Sequence, residues 1–254
     1  AEALVQKAID IDKVDFRGRL FEGALHLYRG RIDRALRSFR IAAEDREQSS
    51  ALFTNIAVAY ILSGRIDKAF KALRRATTLE PFSRNAVALL ADLAFHEKKS
   101  EVAIKPLQEF LGFEQKSASM WARIARALSE VGRNQEALEA LKRQASVEES
   151  SAVWNNMGVA YTRLKNLQKA MDCFKYSAQK AASESSKEFG LPMRNWLAVL
   201  AEKDEPKDIY KVSKLAIAAD IDDAFLSDPV VSDIYVFNAH AATILVGEKE
   251  GAEV

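Results

Sequence analysis

Cysteine is almost missing from this sequence. Cys173 is the only one in 254 residues, so no internal disulfide can form, which fits a reducing compartment without requiring one. Histidine is scarce too: His26, His96 and His240 stand far apart, with no neighbouring ligand at metal spacing. No Gly-rich phosphate loop and no strained Gly-x-Ser-x-Gly turn is found. No apolar run is long enough to span a bilayer, and no signal-peptide pattern is found within the sequence. Cys173 sits beside Phe174 without a sequence-near base, so it reads as a packed thiol rather than a nucleophile. The carboxylate pairs Glu148–Glu149 and Asp222–Asp223 fall in expected loops, where a solvated surface is the default. These absences argue against an enzyme, and neither cofactor nor metal is expected.

Net charge is close to zero, at +1, but it is unevenly spread. From Ala201 onward the acids outnumber the five lysines by seven, which leaves the rest of the chain at about +8. That asymmetry can orient a partner or draw the tail towards the body, though a solvated acidic surface is the simpler reading.

What is present is a period. Small residues recur at Gly23, Ala57, Ala91, Ala125 and Gly158, 34 residues apart and finally 33. A second column, Ala35, Ala69, Ala103, Ala137 and Ala170, keeps the same phase. So does a column of large apolar residues: Phe39, Leu73, Leu107, Leu141 and Phe174. Between these columns the apolar spacing is helical. Phe53, Ile56, Ala57 and Tyr60 share one face, as do Trp121, Ile124, Ala125 and Leu128, and Trp154, Met157, Gly158 and Tyr161. Asp15, Ser49, Ser83, Ser117 and Ser150 precede the first helices at the same period, as N-caps. Gly30, Gly64 and Gly132 mark the turn within a pair. Lys98 and Lys165 hold that place in the other two copies, where a less sharp or more strained turn is expected. Pro106 predicts a kink near Val102–Pro106 or a helix that starts late.

In this pattern the sequence resembles the tetratricopeptide repeat (TPR) family, on Phe53, Ile56, Ala57, Tyr60, Gly64, Ala69, Leu73, Ala76 and Pro81, and again on Trp154, Met157, Gly158, Tyr161, Ala170 and Phe174. The first copy departs from it, with Arg19 and Glu22 where apolar residues belong. The resemblance implies an all-α fold: a right-handed α-solenoid of antiparallel helix pairs, a TPR-like superhelix, closed by a C-terminal capping helix. Residues 1–15 read as the second helix of a truncated repeat, so the chain is expected to be a piece of something longer. Residues 16–184 hold five TPR-like repeats. A degenerate sixth pair covers 185–220, opened by Pro192 and Pro206. Residues 221–247 form a linker and the capping helix, with Val230, Ile234, Phe237, Ala241 and Ile244 as its stripe. Residues 248–254 are expected to be disordered.

Function is expected on the face of each first helix opposite its packing stripe, which lines the concave side. In order the candidate residues are Phe21 and Tyr28; Asn55, Val58 and Leu62; Leu89 and Asp92; Arg123 and Arg126; and Asn156, Val159 and Arg163. An Asn amide donates and accepts together, which suits an extended peptide backbone, and Arg suits carboxylates. Arg123, Arg126 and Arg163 are expected to make one end of the groove cationic; the alternative is that the arginines pair with Asp92 and Glu130 and that several of the apolar residues pack against the adjacent first helix. The family's chaperone-binding carboxylate clamp does not match: Leu20 and Ala24 stand where its first helix needs Lys and Asn, and Ser119 replaces a Lys ahead of Arg123.

The expected role is therefore a non-enzymatic protein–protein interaction adaptor or scaffold, holding an extended or helical partner segment with some acidic character. The alternatives are a structural segment of a longer solenoid whose groove is filled by its own tail, and an accessory domain of a larger enzyme. The first copy is Arg-rich (Arg17, Arg19, Arg29, Arg31, Arg34, Arg37, Arg40), but these alternate around both helices, so no nucleic acid is expected. Membrane insertion is not expected either. Self-association through open solenoid ends and a soluble, cytoplasmic location complete the expectations.

Overall fold

A computed structural model of the chain describes residues 16–44, 49–183, 189–218, 233–234 and 236–244. The truncated-repeat, linker and tail assignments at 1–15, 221–232 and 248–254 lie outside the described residues, as do Asp15, Pro229 and Val230.

The described chain forms antiparallel helix pairs. They are α1 (Phe16–Tyr28) with α2 (Ile32–Glu44), α3 (Ser50–Leu62) with α4 (Ile66–Leu79), and α5 (Arg84–His96) with α6 (Glu101–Phe113). Then come α7 (Ala118–Glu130), α8 (Asn134–Val147), α9 (Ser151–Arg163) with α10 (Leu167–Ser183), and α11 (Gly190–Glu202) with α12 (Pro206–Ala218). The chain divides into two compact units, Ala1–Val131 and Gly132–Val254.

In the first unit each second helix packs on its own first helix and on the next one, while α1, α3, α5 and α7 also touch in succession. The small-residue columns make this possible. Ala57, Ala69 and Leu73 are fully buried, as are Ala35 and Phe39 of the preceding pair. Fully burying one such Leu or Phe contributes about 1.5–3 kcal/mol. The register of the first pair is regular despite its polar departures. Arg19 and Glu22 form a half-buried ion pair at 3.0 Å, so each offsets the other's desolvation.

In the second unit α8, α9, α10, α11 and α12 pack in sequence, with α9 also against α11. Ser151 and Ser177 tie α9 to α10 by reciprocal bonds, each hydroxyl donating to the other's carbonyl, at 3.0 and 2.7 Å. Beyond α12, residues 236–244 are helical. Ile234 and Ala241 are buried in one cluster with Met193, Leu197, Ile209 and Val212, and Phe237 packs against it. Asn238 donates to the Ser213 hydroxyl at 2.9 Å.

The helix ends follow the sequence in part. Ser49 and Ser150 cap α3 and α9 through their side chains, whereas Ser83 and Ser117 make no such bond. The Ser117 hydroxyl instead accepts from Arg84 at 2.9 Å. Lys98 and Lys165 adopt positive φ, 54° and 59°, in the same turn that Gly30, Gly64 and Gly132 make. The turn is therefore kept and strained, not opened, because the packing of the pair fixes it. Contrary to a late start, α6 runs unbroken from Glu101, with Pro106 in its second turn.

Candidate functional site

Five of the candidate residues on α1, α3 and α5 are apolar, and they differ in how far they are needed by the core. Phe21 is 65% exposed, Leu62 60% and Tyr28 90%. Asn55, Val58 and Leu89 are half-buried. Among the described residues no hydrogen bond holds the Asn55 amide, which leaves its donor and acceptor available.

The charged end of this face differs from expectation. Arg123 donates to Asp92 through Nε and Nη2, both at 3.1 Å, joining α7 to α5 in a two-pronged pair. Arg126 donates from Nε to Glu130 at 2.8 Å, and its guanidinium lies 4.2 Å from the centre of the Phe95 ring. The Ser100 hydroxyl also donates to Glu130. Arg123 and Arg126 are thus neutralised within the first unit by Asp92 and Glu130, the alternative that the sequence leaves open to a cationic end. What remains is an apolar face with amides and balanced charge.

The second unit carries its own stretch of the same face. Asn156 and Arg163 are exposed on α9, while Val159 is half-buried and packs against the core around Ala170 and Phe174. Val159 therefore belongs partly to the core and not only to the face. One position was missed from the sequence. Asn195 of α11 occupies the place of Asn55 and Asn156 in its own helix, and its Nδ2 donates to Asn155 Oδ1 at 2.9 Å. The helical count from the start of α11 would have found it. The fixed period did not, because the stretch before α11 is longer than the other connections.

Among the described residues, groups suited to chemistry are not gathered at one place. Cys173 is buried, and burial, with the nearby Asp172 carboxylate, pushes its pKa up to about 11. Among the described residues no cluster of three His, Cys, Asp or Glu could hold a metal, and no helix is long and apolar enough to cross a membrane.

The architecture has solved counterparts. A crystal structure of MamA overlaps with TM-score 0.58 at 18% identity, covering 68% of this chain and 95% of that one. MamA 41-end from Desulfovibrio magneticus RS-1 gives 0.55 at 16% identity, covering 67% and 97%. YrrB, described as a TPR protein with an unusual peptide-binding site, gives 0.60 at 17% identity, covering 69% and 91%. These likenesses show the fold. No curated protein sequence matches the chain. The sequence profile described as tetratricopeptide repeat matches residues 23–157, more than half of the chain, and a second profile of the same description matches 151–175. On that match, laid over helix pairs whose columns are buried as the repeat requires, the chain belongs to the tetratricopeptide repeat family.

Proposed function

We propose that this chain is a non-enzymatic scaffold whose first-helix face holds a segment of a protein partner. The observation that carries the reading is the exposure of Phe21, Tyr28 and Leu62 along one row of helices. These side chains contribute little to the core, and an exposed apolar row usually marks an interaction site. Asn55 supplies beside that row an amide that no described residue engages. The segment presents apolar side chains to α1 and α3. Any acidic group it carries reaches Arg123 only by displacing Asp92.

A peptide library displayed on phage and selected against the protein tests this. Sequences enriched on wild type should be lost on the exposed-face variant Asn55→Ala/Leu62→Glu, while its thermal midpoint stays close to wild type. Retention of the same peptides by the variant would place binding elsewhere and sink the proposal.

A further inference from the structure

The second helices of the first two pairs carry a different surface. Arg34, Arg37 and Arg40 are all exposed on α2, and Lys71 and Arg74 are exposed on α4. The structure gathers cations that the sequence appeared to scatter. The columns run in register at the repeat period: Arg37 with Lys71 and Lys105, and Arg40 with Arg74. In later second helices the place of Arg37 is taken by Glu139 and then Asp172. Packing therefore does not require a base there, and the basic character is local.

These five side chains also differ from most charged groups in the molecule. Lys105 pairs with Glu109, Arg133 with Glu136 and Lys142 with Glu139. No carboxylate among the described residues pairs with Arg34, Arg37, Arg40, Lys71 or Arg74. Unpaired like charges in neighbouring turns repel one another, so this face costs stability rather than adding to it.

The composition of the face narrows its occupant. No aromatic residue is exposed along α2 or α4, and Ile41 is the one large apolar side chain exposed there. A protein interface has an apolar, aromatic-rich centre with few lysines. Unpaired bases need aromatic stacking platforms, and an interfacial membrane helix needs an apolar face. A face whose exposed charges are mainly arginine and lysine, with the acids Asp33, Glu44 and Asp67 towards the helix ends, matches the sequence-independent recognition of duplex phosphates.

We infer that the exposed face of α2 and α4 docks on the phosphate backbone of a nucleic-acid duplex. It is separate from the first-helix face and does not depend on the protein-binding role.

The test uses the full chain and a fluorescent 20-base-pair DNA duplex, titrated by anisotropy between about 50 and 200 mM salt. Five phosphate contacts predict a slope of log K against log salt near about −4.5. Arg37→Ala/Lys71→Ala should weaken binding to every sequence alike and reduce the slope by about 2. Arg34→Ala/Arg40→Ala, measured separately, guards against a folding defect in the first variant, and circular dichroism melts accompany both. Asn55→Ala/Leu62→Glu should bind the duplex as wild type does, which keeps this inference apart from the peptide-binding one. Absence of binding at the lowest salt overturns it, and so does a slope that the variants leave unchanged. Preferential capture by phosphatidylserine vesicles or by poly-glutamate, with the duplex unable to compete, also overturns it by assigning the face to a different polyanion.

Discussion

Gly158 faces the ring of Phe174 so closely that a Cβ placed on it would stand 2.5 Å from Cε1 and 2.6 Å from Cδ1. Gly23 meets Phe39 in the same way. In the two pairs that follow Gly23 and Phe39, the small residue is Ala and the large one Leu: Ala57 with Leu73 and Ala91 with Leu107. The columns thus trade volume within each pair. A Phe is admitted only where the facing helix gives up its Cβ.

This coupling is measurable. Gly158→Ala gains about 1 kcal/mol of helix propensity but must push an aromatic ring, at a cost of about 1–3 kcal/mol. A net loss is expected in urea titration. Adding Phe174→Leu should recover part of that loss, with a coupling energy above about 1 kcal/mol. Additivity within about 0.5 kcal/mol, as distant sites show, would mean that the close approach carries no weight.

The turn lysines make the opposite prediction. Lys98 is exposed at φ 54°, where a Cβ is strained and glycine is not. Lys98→Gly should raise the urea midpoint by the equivalent of about 1 kcal/mol at unchanged m-value. Lys165 is a less clean site, because its ammonium also pairs with Glu202 at 2.9 Å. A Lys98→Gly variant no more stable than wild type would show that the turn relaxes on its own.

Cys173 provides a probe of opening. Its folded pKa is raised to about 11 by burial first and by Asp172 second, so the native thiol is protonated and inert at pH 8. A thiol reagent should label it only at the unfolding rate. The linkage sign follows: the unfolded thiol loses its proton first, near its ordinary value of about 8.5. Stability contributed by the buried neutral thiol is therefore complete below that pH and falls as pH rises towards about 11. Rapid labelling of native protein at pH 8 would contradict this burial.

The packing columns were legible because every pair repeats the same local demand, and a period survives any single polar departure such as Arg19. Partners across the face were legible only as an alternative to a cationic end. Asp92 and Arg123 lie 31 residues apart and meet only because α5 and α7 are set side by side. The same holds for Ser117, which has a capping residue's identity and position but whose hydroxyl accepts from Arg84. The arginines of the first copy read as scattered around both helices for a related reason. On α2 alone the arginines appear as every third residue, and only the second row on α4 makes them a surface. Asn195 was hidden by the longer stretch before α11, which moves it out of the period though not out of its helical position.

The pairing of Arg123 with Asp92 yields the sharpest prediction for the proposed peptide face. The Asp92 side chain is about half exposed and that of Arg123 less so, and the two meet at 3.1 Å. An exposed pair of this kind contributes about 0–1 kcal/mol to folding, so breaking it should barely move the thermal midpoint. For an acidic ligand the consequence is larger, because Asp92 competes for the same guanidinium. Asp92→Asn should therefore tighten binding of an acidic peptide selected on the wild type, and Arg123→Ala should weaken it. The double variant should match Arg123→Ala alone, since Asp92 acts only through that arginine. The affinity gained in Asp92→Asn should also be the part most sensitive to salt, as exposed charge contacts are screened. If Asp92→Asn instead weakens the peptide, the carboxylate is itself a contact and the partner presents a cation to α5. If neither change matters, the charged end of the face takes no part and recognition rests on Phe21, Tyr28 and Leu62.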